Sequence, residues 1–325
     1  MTVLVSGGAG YIGAHVVRLL REAGRDVLVA DDLSTGSASR VPGVPLLRVD
    51  LVEPASVGVL AEAMGARGVT SVVHFAAKKR VDESMVRPAW YFAQNVGGLA
   101  NVLSAMELAG VDRFVFSSSA AVYGNPLSGD VPEDADLAPV NPYGESKLVG
   151  EWLVRDAQRA WGLRAASLRY FNVAGAGWTE LGDPLVMNLV TMLLQARAHG
   201  LPPRVFGSDY LTRDGSCERD FVHVLDLAHA HLAALDYLDR DEREWDVFNV
   251  GTGTGSTVLE VVQALGDVAG WRTAPELSPR RAGDPARVVA QVERLTAATG
   301  WHAQAGLPEI LASAWAAWQH DHPAM

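Results

Sequence analysis

The chain has 325 residues, of which 49% are hydrophobic and 20% charged, so it can bury a large core and is long enough for two domains. Its formal net charge of −11 argues against a nucleic-acid or anionic membrane partner. The single cysteine, Cys217, excludes an internal disulfide and is typical of a reducing compartment, so we expect a cytoplasmic protein. No apolar run approaches the ~20 residues of a membrane-spanning helix, and the apolar run directly after Met1 predicts a strand rather than a signal peptide.

The first elements are a strand, a glycine turn and a helix. The apolar run 3–5 precedes Gly7-x-x-Gly10-x-x-Gly13, and helical spacing follows over 15–20. Glycines here allow a tight turn and let a pyrophosphate approach the helix N-terminus. A second apolar run, 26–30, ends at Asp31, ~20 residues beyond the glycines, where a carboxylate holds the adenosine ribose hydroxyls and repels a 2′-phosphate. The sequence therefore predicts an NAD site rather than an NADP site.

Strand-length apolar runs alternate with helical stretches through the rest of the first half. This alternation predicts an α/β protein with a doubly wound parallel sheet of the Rossmann type and a smaller C-terminal α+β substrate domain. We expect residues 1–172 to form the first domain, with 219–251 returning to it, and residues 173–218 and 252–325 to form the second. The predicted strands are 46–50, 71–75, 113–116, 164–170 and 247–250. The predicted helices are 55–67, 88–109, 143–161, 186–199, 222–238, 259–268 and 308–318.

Tyr143 and Lys147 are four residues apart, which puts both on one face of a helix. A fixed ammonium near a phenol lowers the phenol pKa, so Tyr143 could take a proton from a sugar or alcohol hydroxyl as hydride leaves the same carbon. Ser119 could hydrogen-bond the same oxygen. The spacing also occurs by chance on surface helices, and the glycine motif upstream is what favours the catalytic interpretation.

Ligands of such sheets bind beyond the carboxyl ends of the strands. The glycine turn, Asp31, residues 75–79, Ser119 and Asn172 all fall at such ends, so one crevice should collect them. The histidines do not suggest a metal site. His223, His229 and His231 lack acids or cysteines at zinc-site spacing, and His320 and His322 are expected in a frayed tail.

Several segments carry a family resemblance that runs in order over nearly the whole chain. The chain resembles the extended short-chain dehydrogenase/reductases, and within them the UDP-glucose 4-epimerases. The segments are Gly7-x-x-Gly10-x-x-Gly13, Phe75-Ala-Ala-Lys-Lys79-Arg-Val-Asp-Glu-Ser84, Ser117-Ser-Ser-Ala-Ala-Val-Tyr-Gly124, Asn141-Pro-Tyr-Gly144, Tyr143-x-x-x-Lys147, Arg169-Tyr-Phe-Asn172, Arg219-Asp-Phe-Val-His223 and Pro279-Arg-Arg-Ala-Gly-Asp284.

The resemblance implies a catalytic set and a cofactor set. Tyr143 would be the base at the sugar 4-hydroxyl, Lys147 would bind the nicotinamide ribose and tune Tyr143, and Ser119 would bridge to the 4-oxygen. The implied NAD-binding residues are Gly7, Gly10, Tyr11, Ile12, Gly13, Asp31, Asp32, Leu33, Ser34, Thr35, Gly36, Asp50, Leu51, Phe75, Ala76, Ala77, Lys79, Asn95, Tyr143, Lys147 and Tyr170.

The resemblance also implies a UDP-hexose site, in which Arg219 and Arg281 would clamp the diphosphate because guanidinium groups match phosphate oxygens. Val288, four residues after Asp284, would border the sugar 2-substituent, where a residue smaller than Tyr goes with acceptance of N-acetylated sugars. The sequence departs from the family pattern at two positions. Phe221 stands where many relatives have Tyr, which puts one hydroxyl contact to the ligand in doubt. Gln94 stands where relatives often have Asn, which puts one contact on the nicotinamide side in doubt. The implied substrate-binding residues are Lys79, Ser119, Tyr143, Phe171, Asn172, Arg219, Phe221, Arg281, Asp284 and Val288.

The expected reaction is interconversion of UDP-glucose and UDP-galactose through a transient 4-keto sugar. Epimerases of UDP-N-acetylglucosamine or UDP-glucuronate are alternatives. A dehydratase needs an acid pair after the catalytic Ser or Thr, and Ala120 and Ala121 occupy those positions. A non-catalytic NAD-sensing regulator would typically lack the Tyr/Lys pair. The family implies a homodimer through the predicted helices 88–109 and 143–161.

Overall fold

A computed structural model describes residues 1–126, 129–240, 245–281 and 283–323 of the chain. Ala282, which belongs to one of the family segments, lies outside these residues. The strands are β1 Thr2–Ser6, β2 Asp26–Asp31, β3 Leu46–Arg48, β4 Val69–His74, β5 Arg113–Ser119, β6 Asp130–Val131, β7 Arg164–Tyr170, β8 Asn172–Ala174, β9 Arg204–Phe206, β10 Glu218–His223, β11 Trp245–Val250, β12 Gly255–Thr257, β13 Glu276–Ser278 and β14 Arg287–Ala290.

The helices alternate with the first strands and then fill the C-terminal part. They are α1 Tyr11–Glu22, α2 Ser56–Arg67, α3 Val81–Val86, α4 Pro88–Phe92, α5 Gly98–Ala109, α6 Pro142–Trp161, α7 Leu189–Ala198, α8 Val224–Leu238, α9 Val258–Ala269, α10 Glu293–Thr299 and α11 Leu307–Asp321.

The main sheet has seven parallel strands in the order β11-β7-β5-β4-β1-β2-β3. Its central strands are nearly continuous apolar runs because both faces are covered by helices. One apolar cluster packs α1 and α8 against one face, and a second packs α2, α5 and α6 against the other. The predicted doubly wound parallel sheet is thus confirmed. The strand order reverses between β1 and β4, and a crevice opens at such a switch point.

The C-terminal part is built on shorter strands. β10 pairs with β12, β14 and β8, β14 pairs with β6, and β13 pairs with β9. Helices α7, α9 and α11 share an apolar cluster beside them. β11 joins the main sheet next to β7, so the chain returns to the main sheet before it forms α9, α10 and α11.

Several sequence predictions differ from the structure; for example, the helix predicted over 186–199 begins only at Leu189. The helix predicted from residue 222 begins only at Val224, because Val222 and His223 belong to β10 and pair with Val173 and Ala174 of β8. The single helix predicted over 88–109 is α4 and α5 joined by a π-helical turn over Ala93–Gly97. His320 lies within α11 rather than in a frayed tail, and the ring of His322 stacks on Trp318 at 4.2 Å between centroids.

Within the described residues no helix is long and apolar enough to cross a bilayer. In the same part of the chain, no group of three or more His, Cys, Asp or Glu side chains could hold a metal ion.

Candidate active site

The glycine turn is built by close backbone approach. Gly7 has φ +69°, and a Cβ there would lie 2.6 Å from the backbone nitrogen of Ala76. A Cβ on Gly13 would lie 2.3 Å from the carbonyl oxygen of Gly7. Gly10 caps α1 without a side-chain hydrogen bond, so the positive end of the helix opens into the crevice. This arrangement suits the pyrophosphate of a dinucleotide.

Asp31 fixes the second wall of the same crevice. Its Oδ2 accepts from the backbone N–H of Ala9 at 2.9 Å and its Oδ1 accepts from that of Leu33 at 2.8 Å. Leu33 is held at φ 60°, the one positive value among the described non-glycine residues. Such strain persists where the surroundings impose it, and it is typical of ligand sites. Burial raises the pKa of Asp31, while the two backbone hydrogen bonds oppose the rise.

A cavity of about 250 Å³ connects these walls with the catalytic candidates. It lies at the carboxyl ends of β1, β2, β4, β5 and β7, as the fold predicts. The predicted residues that line it are Gly7, Gly10, Tyr11, Ile12, Gly13, Asp31, Asp32, Ser34, Thr35, Asp50, Leu51, Phe75, Ala76, Ala77, Lys79, Tyr143, Lys147 and Tyr170. The uncapped helix end, the glycine cradle and the buried carboxylate together fit a bound dinucleotide.

Three predicted cofactor residues are not among the lining residues: Leu33, Gly36 and Asn95. Asn95 is buried, and its side chain binds protein groups. Its Oδ1 accepts from the Lys78 N–H at 2.8 Å, and its Nδ2 donates to the Lys78 carbonyl at 3.0 Å and to the Ser146 hydroxyl at 2.9 Å. Asn95 therefore holds the end of β4 against α6.

The catalytic candidates meet at the start of α6. Asn141 caps this helix by accepting from the Gly144 N–H at 2.9 Å, and Pro142 occupies its first turn. Tyr143 in that turn hydrogen-bonds Ser119 at the end of β5. The Ser119 hydroxyl accepts from the Ala121 N–H at 3.2 Å, so its own proton is available to the Tyr143 oxygen.

Lys147 is buried one turn below Tyr143, and its Nζ donates to the carbonyl of Ser117 at 2.7 Å. Burial lowers the pKa of Lys147 to about 7, and Glu151 acts in the opposite direction. Burial raises the pKa of Tyr143, and the hydrogen bond to Ser119 opposes this rise. Burial is the largest influence on both groups, and the lowering of the phenol pKa by Lys147 stays a prediction.

The predicted substrate residues are grouped on and around β10. Arg219 donates through Nη2 to Asp284 Oδ1 at 3.4 Å. The Arg281 guanidinium lies 3.9 Å from the centroid of the Phe206 ring, and the Asp284 N–H donates to the Arg281 carbonyl at 3.3 Å. The exposed Asn172 donates to the backbone carbonyl of Asp220 at 3.1 Å.

Apolar residues of the predicted substrate set surround this group. Val288 pairs with Arg219 in the sheet and packs against the cluster that contains Phe171 and Val122. The ring of Phe221 is buried in the C-terminal apolar cluster, an environment in which a tyrosine hydroxyl would need a partner. Of the predicted substrate residues, Lys79 and Tyr143 line the dinucleotide cavity itself.

Comparison with known proteins decides the family. Residues 3–251 match the model of the NAD dependent epimerase/dehydratase family. The UDP-glucose 4-epimerase of Azospirillum brasilense is 44% identical over 304 residues, covering 92% of this chain and 86% of that protein. The chain belongs to this family.

Two solved structures extend the likeness to the whole fold. The UDP-glucose 4-epimerase from Stenotrophomonas maltophila, with bound NAD and formylated UDP-arabinopyranose, has a TM-score of 0.94 and 38% identity, covering 100% of both chains. The UDP-Glc/GlcNAc 4-epimerase from Campylobacter jejuni has a TM-score of 0.87 and 38% identity, covering 98% of this chain and 99% of that chain. The predicted resemblance and the NAD cofactor are thus confirmed.

Some residues that line the crevice were not among the site residues predicted from the sequence. Lys78 donates through Nζ to the Ser34 hydroxyl at 2.9 Å and so bridges two walls of the cavity. In the sequence, the position of Lys78 next to the predicted Lys79 was the feature that could have identified it as a residue of this cavity. Pro184, Leu185 and Met187 also line the cavity. They lie around the point where a predicted loop meets the predicted helix 186–199. No local sequence pattern indicates against which part of the protein this segment packs.

A second cavity, of about 320 Å³, shares Tyr11 and Pro184 with the crevice. It lies against α7 and α11. Among the described residues that line it, none is a predicted catalytic residue. Asp183 stands between the two cavities, where it lies 3.7 Å from Lys79 Nζ and accepts from the Asn188 amide at 2.9 Å.

Proposed function

We propose that this protein is an NAD-dependent UDP-glucose 4-epimerase that interconverts UDP-glucose and UDP-galactose through a transient 4-keto sugar. The observation that carries the proposal is the Ser119–Tyr143–Lys147 constellation, which opens onto a crevice that fits a dinucleotide. NAD held in this crevice would accept a hydride from the sugar and return it.

The chain's own residues supply the proton chemistry. Tyr143 takes the proton of the sugar 4-hydroxyl, and the Ser119 hydroxyl supports the developing charge on its oxygen. Lys147 has one N–H on the Ser117 carbonyl and two further donors for the nicotinamide ribose. When the 4-keto sugar has turned over, the same phenol returns the proton to the 4-oxygen, and carbon 4 would regain hydride on its other face.

The substrate anchor in this proposal is the group around β10. Arg219 and Arg281 bind the diphosphate of the UDP-hexose, and Asp284 and Asn172 fix the nucleotide end. Strong binding of this remote part allows the sugar to be held loosely while it rotates. We assign residues 1–172 and 219–251 to the NAD-binding domain, and 173–218 and 252–325 to the UDP-sugar-binding domain.

A second activity, on UDP-N-acetylglucosamine, is favoured by Val288. This branched but short side chain stands where the family resemblance puts the sugar 2-substituent, and it packs with Phe171 and Ala120 close to the catalytic Ser119. The C. jejuni structure with 38% identity is that of a UDP-Glc/GlcNAc 4-epimerase. A dehydratase remains disfavoured, because Ala120 and Ala121 offer no carboxylate.

The proposal also covers the oligomeric state, which is argued from α5 and α6, and the cellular location, which is argued from Cys217. We propose a homodimer across α5 and α6, supported by the exposed Leu108 and Trp152, whose exposed fractions are 71% and 46%. We propose a cytoplasmic location, supported by the unpaired, buried Cys217. Light scattering of Trp152→Glu against the parent tests the first, and cell fractionation tests the second.

The activity is tested by incubating purified protein with UDP-galactose and measuring UDP-glucose by chromatography of the nucleotide sugars. We expect many turnovers for each bound NAD without net NADH formation. UDP-N-acetylgalactosamine and UDP-glucuronate run in parallel separate the related epimerases. Net NADH accumulation, or no product with NAD bound, would contradict the proposal.

A further inference from the structure

A buried ion pair lies directly behind the catalytic pair. Arg169 on β7 and Glu151 on α6 have side-chain exposures of 3% and 2%. The Arg169 Nε donates to Glu151 Oε1 at 2.9 Å, and its Nη2 donates to Glu151 Oε2 at 2.7 Å. This two-point geometry is the strong form of an arginine–carboxylate contact. Glu151 stands one helical turn beyond Lys147 on α6.

The same carboxylate holds the end of β5. The Ser118 hydroxyl donates to Glu151 Oε1 at 2.5 Å. Its neighbours on either side are the two catalytic anchors: the Ser117 carbonyl accepts from Lys147, and Ser119 hydrogen-bonds Tyr143. A shift of Ser118 would therefore move both contacts together.

The far side of Arg169 is anchored as well. Its Nη1 donates to the Tyr123 hydroxyl at 2.9 Å and to the backbone carbonyl of Glu133 at 2.9 Å. The Tyr123 hydroxyl donates to Asn249 Oδ1 at 2.6 Å. The network thus runs from α6 through β5 and β7 to β11, and its groups are buried.

Stability alone is a weak reason for such a network, because an apolar replacement of a buried ion pair is often neutral or stabilising. Its position next to Lys147 gives a stronger reason. A buried ammonium needs a nearby negative charge to remain protonated.

The charged and titratable groups that face Lys147 come from every neighbouring element. From β4, His74 is held neutral, since burial and Lys147 lower its pKa to about 3. From β5, the Phe116 ring lies 5.3 Å from Nζ, beside the Ser117 carbonyl. From its own helix come Tyr143 and Glu151, and Glu151 is the group that raises the pKa of Lys147. β7 contributes Arg169 through its contact with Glu151.

We propose that Glu151 is a positioning residue: with Arg169 and Ser118 it fixes the end of β5 against α6, and its charge keeps Lys147 an ammonium ion. The consequence concerns pH. The Lys147 ammonium is lost as the pH rises, so Glu151 acts through Lys147 on the alkaline limb of the rate profile. This inference rests on the proposed epimerase function, and an inactive parent enzyme would defeat that function rather than the role of Glu151.

Two variants separate charge from shape. Glu151→Gln removes the charge and keeps one acceptor oxygen, which can still accept from Ser118 and the Arg169 Nε, while the bond from Arg169 Nη2 is lost. Ser118→Ala removes the hydroxyl and keeps the charge. We expect Glu151→Gln to move the alkaline limb of kcat to lower pH by about one unit, which corresponds to about a tenfold loss on that limb. Ser118→Ala should lower kcat by about threefold, within the range of one hydrogen bond, with the limb unmoved.

Three further measurements make the test decisive. Glu151→Asp keeps the carboxylate, so the limb of its pH profile should lie at the same pH as in the parent. Glu151→Leu/Arg169→Met leaves no unpaired buried charge and should show a smaller shift in the same direction as Glu151→Gln, because the opposing Arg169 charge is removed as well. Thermal unfolding and bound NAD are recorded for each variant: Glu151→Gln should unfold at a lower temperature than the parent, because Arg169 loses its counter-charge, and should retain NAD. An unmoved limb in Glu151→Gln and in the double variant overturns the proposal. Failure of both to fold also overturns it, because the pair would then be a stability element.

Discussion

A single methyl group added to Gly7 tests the geometry of the cofactor crevice. Gly7 is in the left-handed region with φ +69°, and its Cβ would lie 2.6 Å from the Ala76 nitrogen and 2.9 Å from the Ala76 Cα. Both neighbours are backbone atoms at the end of β4, so neither can rotate away. Gly7→Ala must therefore move the strand end or the glycine turn.

The expected magnitude follows from two terms. The left-handed conformation of an L-residue is unfavourable by ~1–2 kcal/mol. Forcing a methyl group into closed space adds ~1–3 kcal/mol. Gly24→Ala is a matched control, because Gly24 has φ +73° with nothing within 4 Å of its Cβ. It should show the first term alone. Gly58→Ala, in α2 with open space and no positive φ, should be neutral or stabilising.

Urea unfolding of the three variants measures these terms, and NAD retention after gel filtration reports the crevice. We expect Gly7→Ala to lose ~2–5 kcal/mol of the free energy of unfolding and to bind NAD at least ~10-fold more weakly, since 1.4 kcal/mol is tenfold. Gly24→Ala should retain NAD. Equal losses of stability for Gly7→Ala and Gly24→Ala, or unchanged NAD retention in Gly7→Ala, would refute the close approach at Ala76.

Three further predictions concern the reaction. Tyr143→Phe should lower kcat by ~10²–10⁴-fold with UDP affinity nearly unchanged, because the hydroxyl does chemistry and β10 supplies binding; turnover within a few-fold of the parent would remove Tyr143 from its role. Val288→Tyr should suppress epimerisation of UDP-N-acetylglucosamine more than that of UDP-glucose, and equal losses would show that Val288 does not border the 2-substituent. The purified parent should carry NAD(H), and Asp31→Ser should lose it; a cofactor-free parent that prefers NADP on titration would contradict the role of Asp31.

The main sheet could be predicted from the sequence because its signals are local. Most strands of this sheet are apolar runs, β1, β3 and β4 are each followed directly by a helix, and Gly7, Gly10 and Gly13 mark the first crossover. The short strands of the C-terminal part carry no such signal. Val222 and His223 continue the apolar pattern of α8, and only their pairing with β8 makes them strand. Tertiary pairing decided between two conformations that the pattern allows.

The site shows the same division. Positions with motif spacing, such as Asp31 and Tyr143, line the predicted crevice. The protonation of the catalytic pair could not be predicted, because it depends on burial. Spacing indicated that Lys147 lowers the Tyr143 pKa, whereas removal of water acts on both side chains and lowers the pKa of Lys147 itself. The counter-charge Glu151 is local in sequence, but its partner Arg169 becomes visible only through the packing of α6 on the sheet.

The step from β7 to β8 links the two halves of the proposed reaction. Tyr170 ends β7 and lines the dinucleotide cavity. Phe171 follows in the cluster against which Val288 packs, and Asn172 begins β8 and binds the carbonyl of Asp220, the residue after Arg219. No loop separates these residues, so the cofactor wall, the proposed sugar wall and the proposed diphosphate anchor are joined by consecutive peptide units. Because each strand is paired in its own sheet, the distance between hydride chemistry and anchor is fixed by backbone hydrogen bonds. A sugar that turns over between the cofactor wall and the anchor can therefore present either of its faces to the same catalytic atoms.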